Sequence, residues 1–203
     1  TVRVMVMFKI FCHCGACSIE LFDGEPALSL FCGCEDCRQA IEWGAKNGGK
    51  PAAPFAEPIY MKSDIAGVEG RDKMKAVQLR NDARSTRVYC KECHAILGID
   101  HPSYSNNVFM FFKNHCETSF KLPHKAVAAI YLEDLPAEAS DLIPTDIPLF
   151  YSFPREREKF RSIDAVSNSF KEPDNPPRGY SFGDLIKSLG EIEVLQLEQG
   201  KPV

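Results

Sequence analysis

Eight of the nine cysteines fall into three tight groups, at spacings that suit thiolates closing on one ion. Cys12-His13-Cys14-Gly15-Ala16-Cys17 and Cys32-Gly33-Cys34-Glu35-Asp36-Cys37 both read C-x-C-x-x-C, and Cys90-Lys91-Glu92-Cys93 adds a C-x-x-C turn. Clustered soft sulfur ligands favour Zn²⁺, with Fe–S centres next in line. Eight thiolates exceed the needs of one tetrahedral ion. A C-x-x-C turn aims both sulfurs at one point, so Cys90 and Cys93 should complete a closed site with a pair from an upstream cluster. The other upstream cluster would then keep three sulfurs and an open position. A closed site stabilises the fold, because its binding free energy is folding free energy; an open one can do chemistry.

Short strands should position these groups. Val2 to Ile10 alternates apolar and other residues and delivers the chain to Cys12. Further strands are expected at Ser18–Phe22, Ala27–Phe31, Ile59–Lys62, Lys75–Arg80, Thr86–Tyr89, Ala95–Ile99, Val108–Phe112 and Val127–Leu132. The run Phe109-Met110-Phe111-Phe112 reads as a strand buried on both faces. One helix is expected over Cys34–Lys46, with Glu35 and Asp36 in its dipole-favoured first turn and Gly48-Gly49 at its end. Trp43 on that helix fits core packing. The pattern is mainly β with a modest core, for which bound metal is a plausible staple.

The composition shifts after Glu133 to a proline-punctuated, acidic, loop-rich stretch. Residues 1–132 are therefore expected as the zinc-binding domain and 133–203 as an extension that packs on it or on a partner. A late helix is expected there, with Ser181 and Asp184 as a capping box and Phe182, Leu185, Ile186 and Leu189 on one face. Arg155, Arg157, Lys159 and Arg161 alternate with Glu156 and Glu158, the pattern of a solvated face.

A net charge of −4 gives no electrostatic reason for a nucleic acid or an acidic membrane to be the partner. The apolar start is interrupted by Lys9 and is too short to span a bilayer. Chelator spacing and an odd cysteine count argue against a disulfide framework. A soluble protein of a reducing, cytoplasmic compartment is expected.

The runs Cys12-His13-Cys14-Gly15-Ala16, Cys32-Gly33-Cys34-Glu35-Asp36-Cys37-Arg38 and Tyr89-Cys90-Lys91-Glu92-Cys93 resemble the three motifs of the glutathione-dependent formaldehyde-activating enzyme family. The resemblance spans roughly Cys12 to Leu132 and rests on three cysteine motifs in register. It implies a small β-tent fold of short twisted antiparallel sheets, also seen in methionine sulfoxide reductase B. It further implies two zinc ions. One, structural, would be held by Cys12, Cys14, Cys90 and Cys93; the other, open and catalytic, by Cys32, Cys34 and Cys37. Cys17 stands where the family usually has an apolar residue, and His94 where it usually has glycine.

Three thiolates leave a zinc centre with net charge near −1, poor at activating water and suited to taking up a thiol. The resemblance implies glutathione as that thiol and formaldehyde as the electrophile, hence a carbon–sulfur lyase forming S-hydroxymethylglutathione. Arg38 is positioned either to hold a carboxylate of the tripeptide or to pair with Glu35 or Glu42. A second closed site, completed by Cys17, Cys116 or a histidine, is the structural alternative for the second cluster. Cys17 and Cys116 otherwise read as packed bystanders, and His13, His94, His101, His115 and His124 as surface or supporting residues. The functional rival is a non-catalytic zinc-stabilised interaction module of the same fold. A nucleic-acid-binding zinc ribbon comes third, opposed by the acidic balance and the lack of a basic stripe.

Overall fold

The computed structural model describes residues 7–203, so the first residues of the expected Val2–Ile10 strand lie outside the described part. In chain order the domain runs β1 (Phe8–Cys12), β2 (Ser18–Leu21), β3 (Leu28–Cys32), α1 (Glu35–Lys46), β4 (Pro58–Lys62), β5 (Ile65–Glu69), β6 (Met74–Gln78), β7 (Thr86–Cys90), β8 (Ile96–Asp100), β9 (Val108–Phe112), β10 (Cys116–Thr118) and β11 (Ala128–Ile130). The remainder forms α2 (Ala137–Ser140), α3 (Phe153–Arg161), α4 (Asp164–Ser169), α5 (Phe182–Ser188) and β12 (Glu193–Val194). The fold is mainly β, as expected. Among the described residues no helix is long and apolar enough to cross a membrane.

Two sheets form. The smaller has the order β10-β1-β2-β5 and the larger β11-β3-β4-β9-β8-β7-β6-β12. Most pairings are antiparallel, but β11 lies parallel to β3 and β12 parallel to β6. The larger sheet is covered on both faces, and β9 shows it directly. Its Phe109 and Phe111 join the core shared with the small sheet, while Val108, Met110 and Phe112 join the core under α1 and the extension. The cysteines divide the same way. Cys12, Cys90 and Cys93 sit in the first core, Cys32 and Cys37 in the second.

Strand β5 and the short β10 have no counterpart in the sequence pattern. β5 carries Ala66 and Gly67, which blur the alternation, and its pairing with β2 shifts register between Glu20 and Leu21. The proline-rich region holds more helix than the one expected. Pro154, taken as loop punctuation, sits in the first turn of α3, where proline is favoured because its missing N–H has no helical partner anyway. The late helix is capped by Ser181 and Asp184 as expected, and it buries Phe182, Leu185 and Ile186.

The C-terminal residues are bonded into the edge of the larger sheet. Leu195 N–H donates to Gln78 O at 2.9 Å and Leu197 N–H to Leu79 O at 2.8 Å, prolonging the β12 edge. Phe182 stacks on Phe109 with ring centroids 4.6 Å apart, and a Cβ on Gly98 would meet its ring at 2.3 Å. Phe182→Ala should therefore cost about 3–5 kcal/mol of unfolding free energy. Chemical denaturation checks this; a change below about 1 kcal/mol, the size of an ordinary surface effect, would mean the helix is not anchored here.

Candidate functional site

Cys12 ends β1 and Cys14 follows in a turn that Gly15 closes at φ +75°. Cys90 ends β7 and Cys93 follows in a turn closed by His94 at φ +53°. The Cys12 and Cys14 sulfurs lie 3.4 Å apart, those of Cys14 and Cys90 3.8 Å apart, and all four lie within 4.8 Å of one another. Thiolates on a tetrahedral zinc at about 2.3 Å stand roughly 3.8 Å from each other, so the set fits that ion. The Cys17 N–H donates to the Cys12 sulfur at 3.3 Å, a contact that stabilises a thiolate. His94 occupies the left-handed region without being glycine, which costs on the order of 1–2 kcal/mol. Its ring meets Trp43 edge-on at 5.5 Å, which offsets part of that cost.

The second cluster is built differently. Cys32 closes β3, Cys34 is the N-cap residue of α1, and Cys37 lies in the helix's first turn. Their three sulfurs lie within 4.8 Å of one another. Cys32 and Cys37 are buried, while Cys34 is partly exposed. Hydrogen bonds from Cys32 and Cys37 hold the Cys34 thiol well below its ordinary range, aided by the Cys37 N–H and the Arg87 charge. Cys32 is pushed well up by the same bonds to Cys34 and Cys37 and by burial. Cys37 also goes up: its bond with Cys32 pulls the other way, but the bond with Cys34 and burial outweigh it. Charge in the trio thus gathers on Cys34, at the helix N-terminus that favours it.

No fourth protein ligand joins this trio among the described residues. Cys17, through its bond to Cys12, belongs beside the four-sulfur cluster, and its own thiol points to Gly70 O at 3.6 Å. Cys116 is buried with its thiol on Ile96 O at 3.1 Å, and the sulfurs that act on it electrostatically are Cys12, Cys93 and Cys90. Neither cysteine named as a possible closing ligand is near enough to close the second cluster. Instead Cys32, Cys34 and Cys37 line a cavity of about 1010 Å³.

Other walls of this cavity were not legible as site residues. Tyr60 and Tyr104 line it, and the Tyr104 hydroxyl donates to Tyr60 Oη at 3.3 Å. Burial raises both phenols well above their ordinary range, so both stay protonated. His101, expected as a surface or supporting residue, also lines it, with Nδ1 2.6 Å from Ser103 Oγ. Of the two roles expected for His115 it takes the supporting one: it is buried, its Nδ1 accepts from the Ile96 N–H at 3.4 Å, and burial holds its pKa down to about 4. Arg157 and Arg161, four apart on α3, reach the cavity despite reading as a solvated face.

Arg38 lines the cavity, but its hydrogen bonds go to backbone. Nε donates to Gly33 O at 3.1 Å and Nη2 to Asp134 O at 2.8 Å. It thereby ties the cysteine loop to the turn after β11, and no ion pair with Glu35 or Glu42 forms among the described residues. Gly33 is held on the other side. A Cβ there would lie 2.5 Å from Leu135 Cγ and 2.6 Å from the Tyr131 carbonyl oxygen. Backbone cannot retreat as a flexible side chain can, so Gly33→Ala should shift Cys32 and Cys34 apart. The expected result is a folded protein with one metal ion fewer per chain, counted by native mass. An unchanged metal count would show that the loop has room to spare.

The sequence model of the family described as glutathione-dependent formaldehyde-activating enzyme matches residues 7–131. No individually curated protein matches the chain. The matched stretch covers more than half of the 203 residues and contains every cysteine of both clusters. On three cysteine groups, their convergence into two clusters and this match, the chain belongs to the glutathione-dependent formaldehyde-activating enzyme family.

Proposed function

We propose that this protein joins a thiol to a small aldehyde, glutathione and formaldehyde being the pair the family implies. The product would be S-hydroxymethylglutathione, and the reverse reaction makes the class a carbon–sulfur lyase. The observation that carries this reading is the three-sulfur cluster lining a large cavity without a fourth protein ligand among the described residues. Cys32, Cys34 and Cys37 would hold one zinc ion, while Cys12, Cys14, Cys90 and Cys93 would hold another as a structural staple. Zinc bound by three thiolates supplies a soft, anionic centre that favours an added thiol as its thiolate.

In the bond-forming step the thiol sulfur attacks the aldehyde carbon, a C–S bond forms, and the carbonyl oxygen takes up the thiol's proton. The chain's own groups serve both ends. The first turn of α1 presents the cluster with the helix dipole's positive end beside it. Buried Arg87 adds a positive charge that acts on Cys34 and Cys37. Tyr60, whose oxygen already accepts from Tyr104, stays protonated and can donate a hydrogen bond to the developing alkoxide while the thiol's proton neutralises it.

Native mass spectrometry at neutral pH, with and without glutathione, tests the reading. Two zinc ions per chain and an added glutathione are expected, alongside glutathione-dependent consumption of formaldehyde. Absence of glutathione binding at millimolar concentration would overturn it.

A further inference from the structure

The cavity beside the three-sulfur cluster is far larger than a one-carbon aldehyde and a sulfur atom need, at about 1010 Å³. Its lining is also unusually cationic. Arg38, Arg80, Arg84, Arg87, Arg157 and Arg161 all contribute, against Glu35, Asp36 and Asp134. Three of those arginines are engaged by ion pairs or by short hydrogen bonds. Arg38 is spent on two carbonyls, Arg80 pairs with Asp36 and with Asp82, and Arg161 faces Glu158 at 3.7 Å.

The other three have no carboxylate partner among the described residues. Arg87 is the informative one, at 1 % exposed. Its Nη1 and Nη2 reach only the Ser85 and Asp36 carbonyls, both at 3.4 Å, and its buried Nε has no partner. A buried guanidinium left with two long bonds to neutral acceptors has lost much hydration without equal return. Such a group is poised for an oxyanion. Arg84 and Arg87 both act electrostatically on His101, which puts the exposed Arg84 on the same side of the cavity. Arg157 comes from the extension, beyond the residues the family model matches, and acts on Tyr131 next to the cysteine loop. The extension supplies apolar wall as well, through Phe153, Phe160 and Phe170.

We propose that Arg84, Arg87 and Arg157 form an oxyanion subsite that takes the acidic groups of the thiol substrate, with the extension as part of the binding surface. This rests on the thiol-binding function proposed above and adds which residues of this chain would meet the charges of an acidic thiol. Guanidinium forks match carboxylate and phosphate alike in geometry, so the shared chemistry is that of an oxyanion. A neutral small thiol would reach the cysteines but leave the arginines without partners.

The test is calorimetric binding to the zinc-loaded full chain, using glutathione, glutathione diethyl ester, coenzyme A and 2-mercaptoethanol. Arg84 and Arg157 are exposed, so Arg84→Glu and Arg157→Glu should fold normally, as thermal unfolding would verify. Each is expected to weaken the acidic thiols by about tenfold or more, the scale of a charged hydrogen bond, while leaving 2-mercaptoethanol unaffected. Glutathione should outbind its diester by a similar factor. Coenzyme A binding tighter than glutathione would assign the subsite to phosphate, and the opposite order to carboxylate. The subsite is refuted if the diester binds as well as glutathione and both charge reversals leave acidic-thiol affinity unchanged, a result that leaves thiol binding standing. If none of the four thiols binds, the thiol-binding function itself fails, and the subsite with it.

Discussion

Cys34→Ser should give a folded protein that holds one zinc per chain and consumes formaldehyde no faster than free glutathione does. Cys34 is the partly exposed member of its trio and lines the cavity, so its loss opens the cluster without cutting into packed core. Serine is among the preferred N-cap residues, and Cys34 makes no side-chain cap hydrogen bond of its own. The substitution can therefore leave α1 intact or strengthen its start by up to about 1 kcal/mol. What disappears is one of the three sulfurs that would hold the open ion. Two buried thiols remain, too few to hold an ion against water and competing ligands. Metal counting by native mass, thermal unfolding and formaldehyde consumption together check this. Full turnover, or collapse of the fold, would contradict an open site that is separable from the scaffold.

That separability comes from the larger sheet. Alternation along β9 sends Phe109 and Phe111 to one core and Met110 and Phe112 to the other, and each core carries one cysteine cluster. Helix α1 bridges the two. Its first turn presents Cys34 and Cys37, while farther along Trp43 packs on Tyr89 and His94, and the Tyr89 hydroxyl donates to Ala40 O at 2.8 Å. The four-sulfur cluster thus buttresses the helix that presents the three-sulfur one. Stability is expected to pass in that direction and not the reverse.

The cysteine groups were legible because turn spacing is local, but which upstream pair joins Cys90 and Cys93 came only from the family resemblance. The sulfurs lie together as Cys12, Cys14, Cys90, Cys93 and as Cys32, Cys34, Cys37. β9 was legible for a similar reason, since five consecutive apolar residues permit little besides a strand buried on both faces. The cavity was not. Tyr60, Arg87, His101 and Arg157 come from separate elements, and no periodicity in one segment reports that a sheet face and a distant helix enclose common space. The basic run at Arg155–Arg161 shows the difficulty. Its alternating charges do describe an exposed helix, yet two of its arginines turn toward the cavity because Phe153 and Phe160 anchor α3 on the core. Cys17 was ambiguous in sequence, and only the Gly70 carbonyl and the Cys12 sulfur show why it is a neighbour and not a ligand.

Cys90→Ser should unfold the chain and release both metal ions. Cys90 is fully buried at the end of β7, paired with Met74, and its N–H donates to Ala95 O to shape the turn that brings in Cys93. A serine there leaves three sulfurs and a hydroxyl in a core that also holds Ile10, Val88 and Leu97. Structural zinc in a four-thiolate site is worth about 10–16 kcal/mol to folding. A whole domain is typically stable by about 5–15 kcal/mol. Losing most of the first quantity is therefore on the scale of the whole of the second. Collapse of the Cys93–His94 turn also removes the support of Trp43 and of Gly44, whose Cβ position lies 3.0 Å from the His94 carbonyl oxygen. The three-sulfur cluster should fail with it, giving zero zinc per chain and no cooperative thermal transition by circular dichroism. A Cys90→Ser protein that melts cooperatively and still carries one zinc would show that the two clusters are independent, and that the four-sulfur site is not what holds the fold.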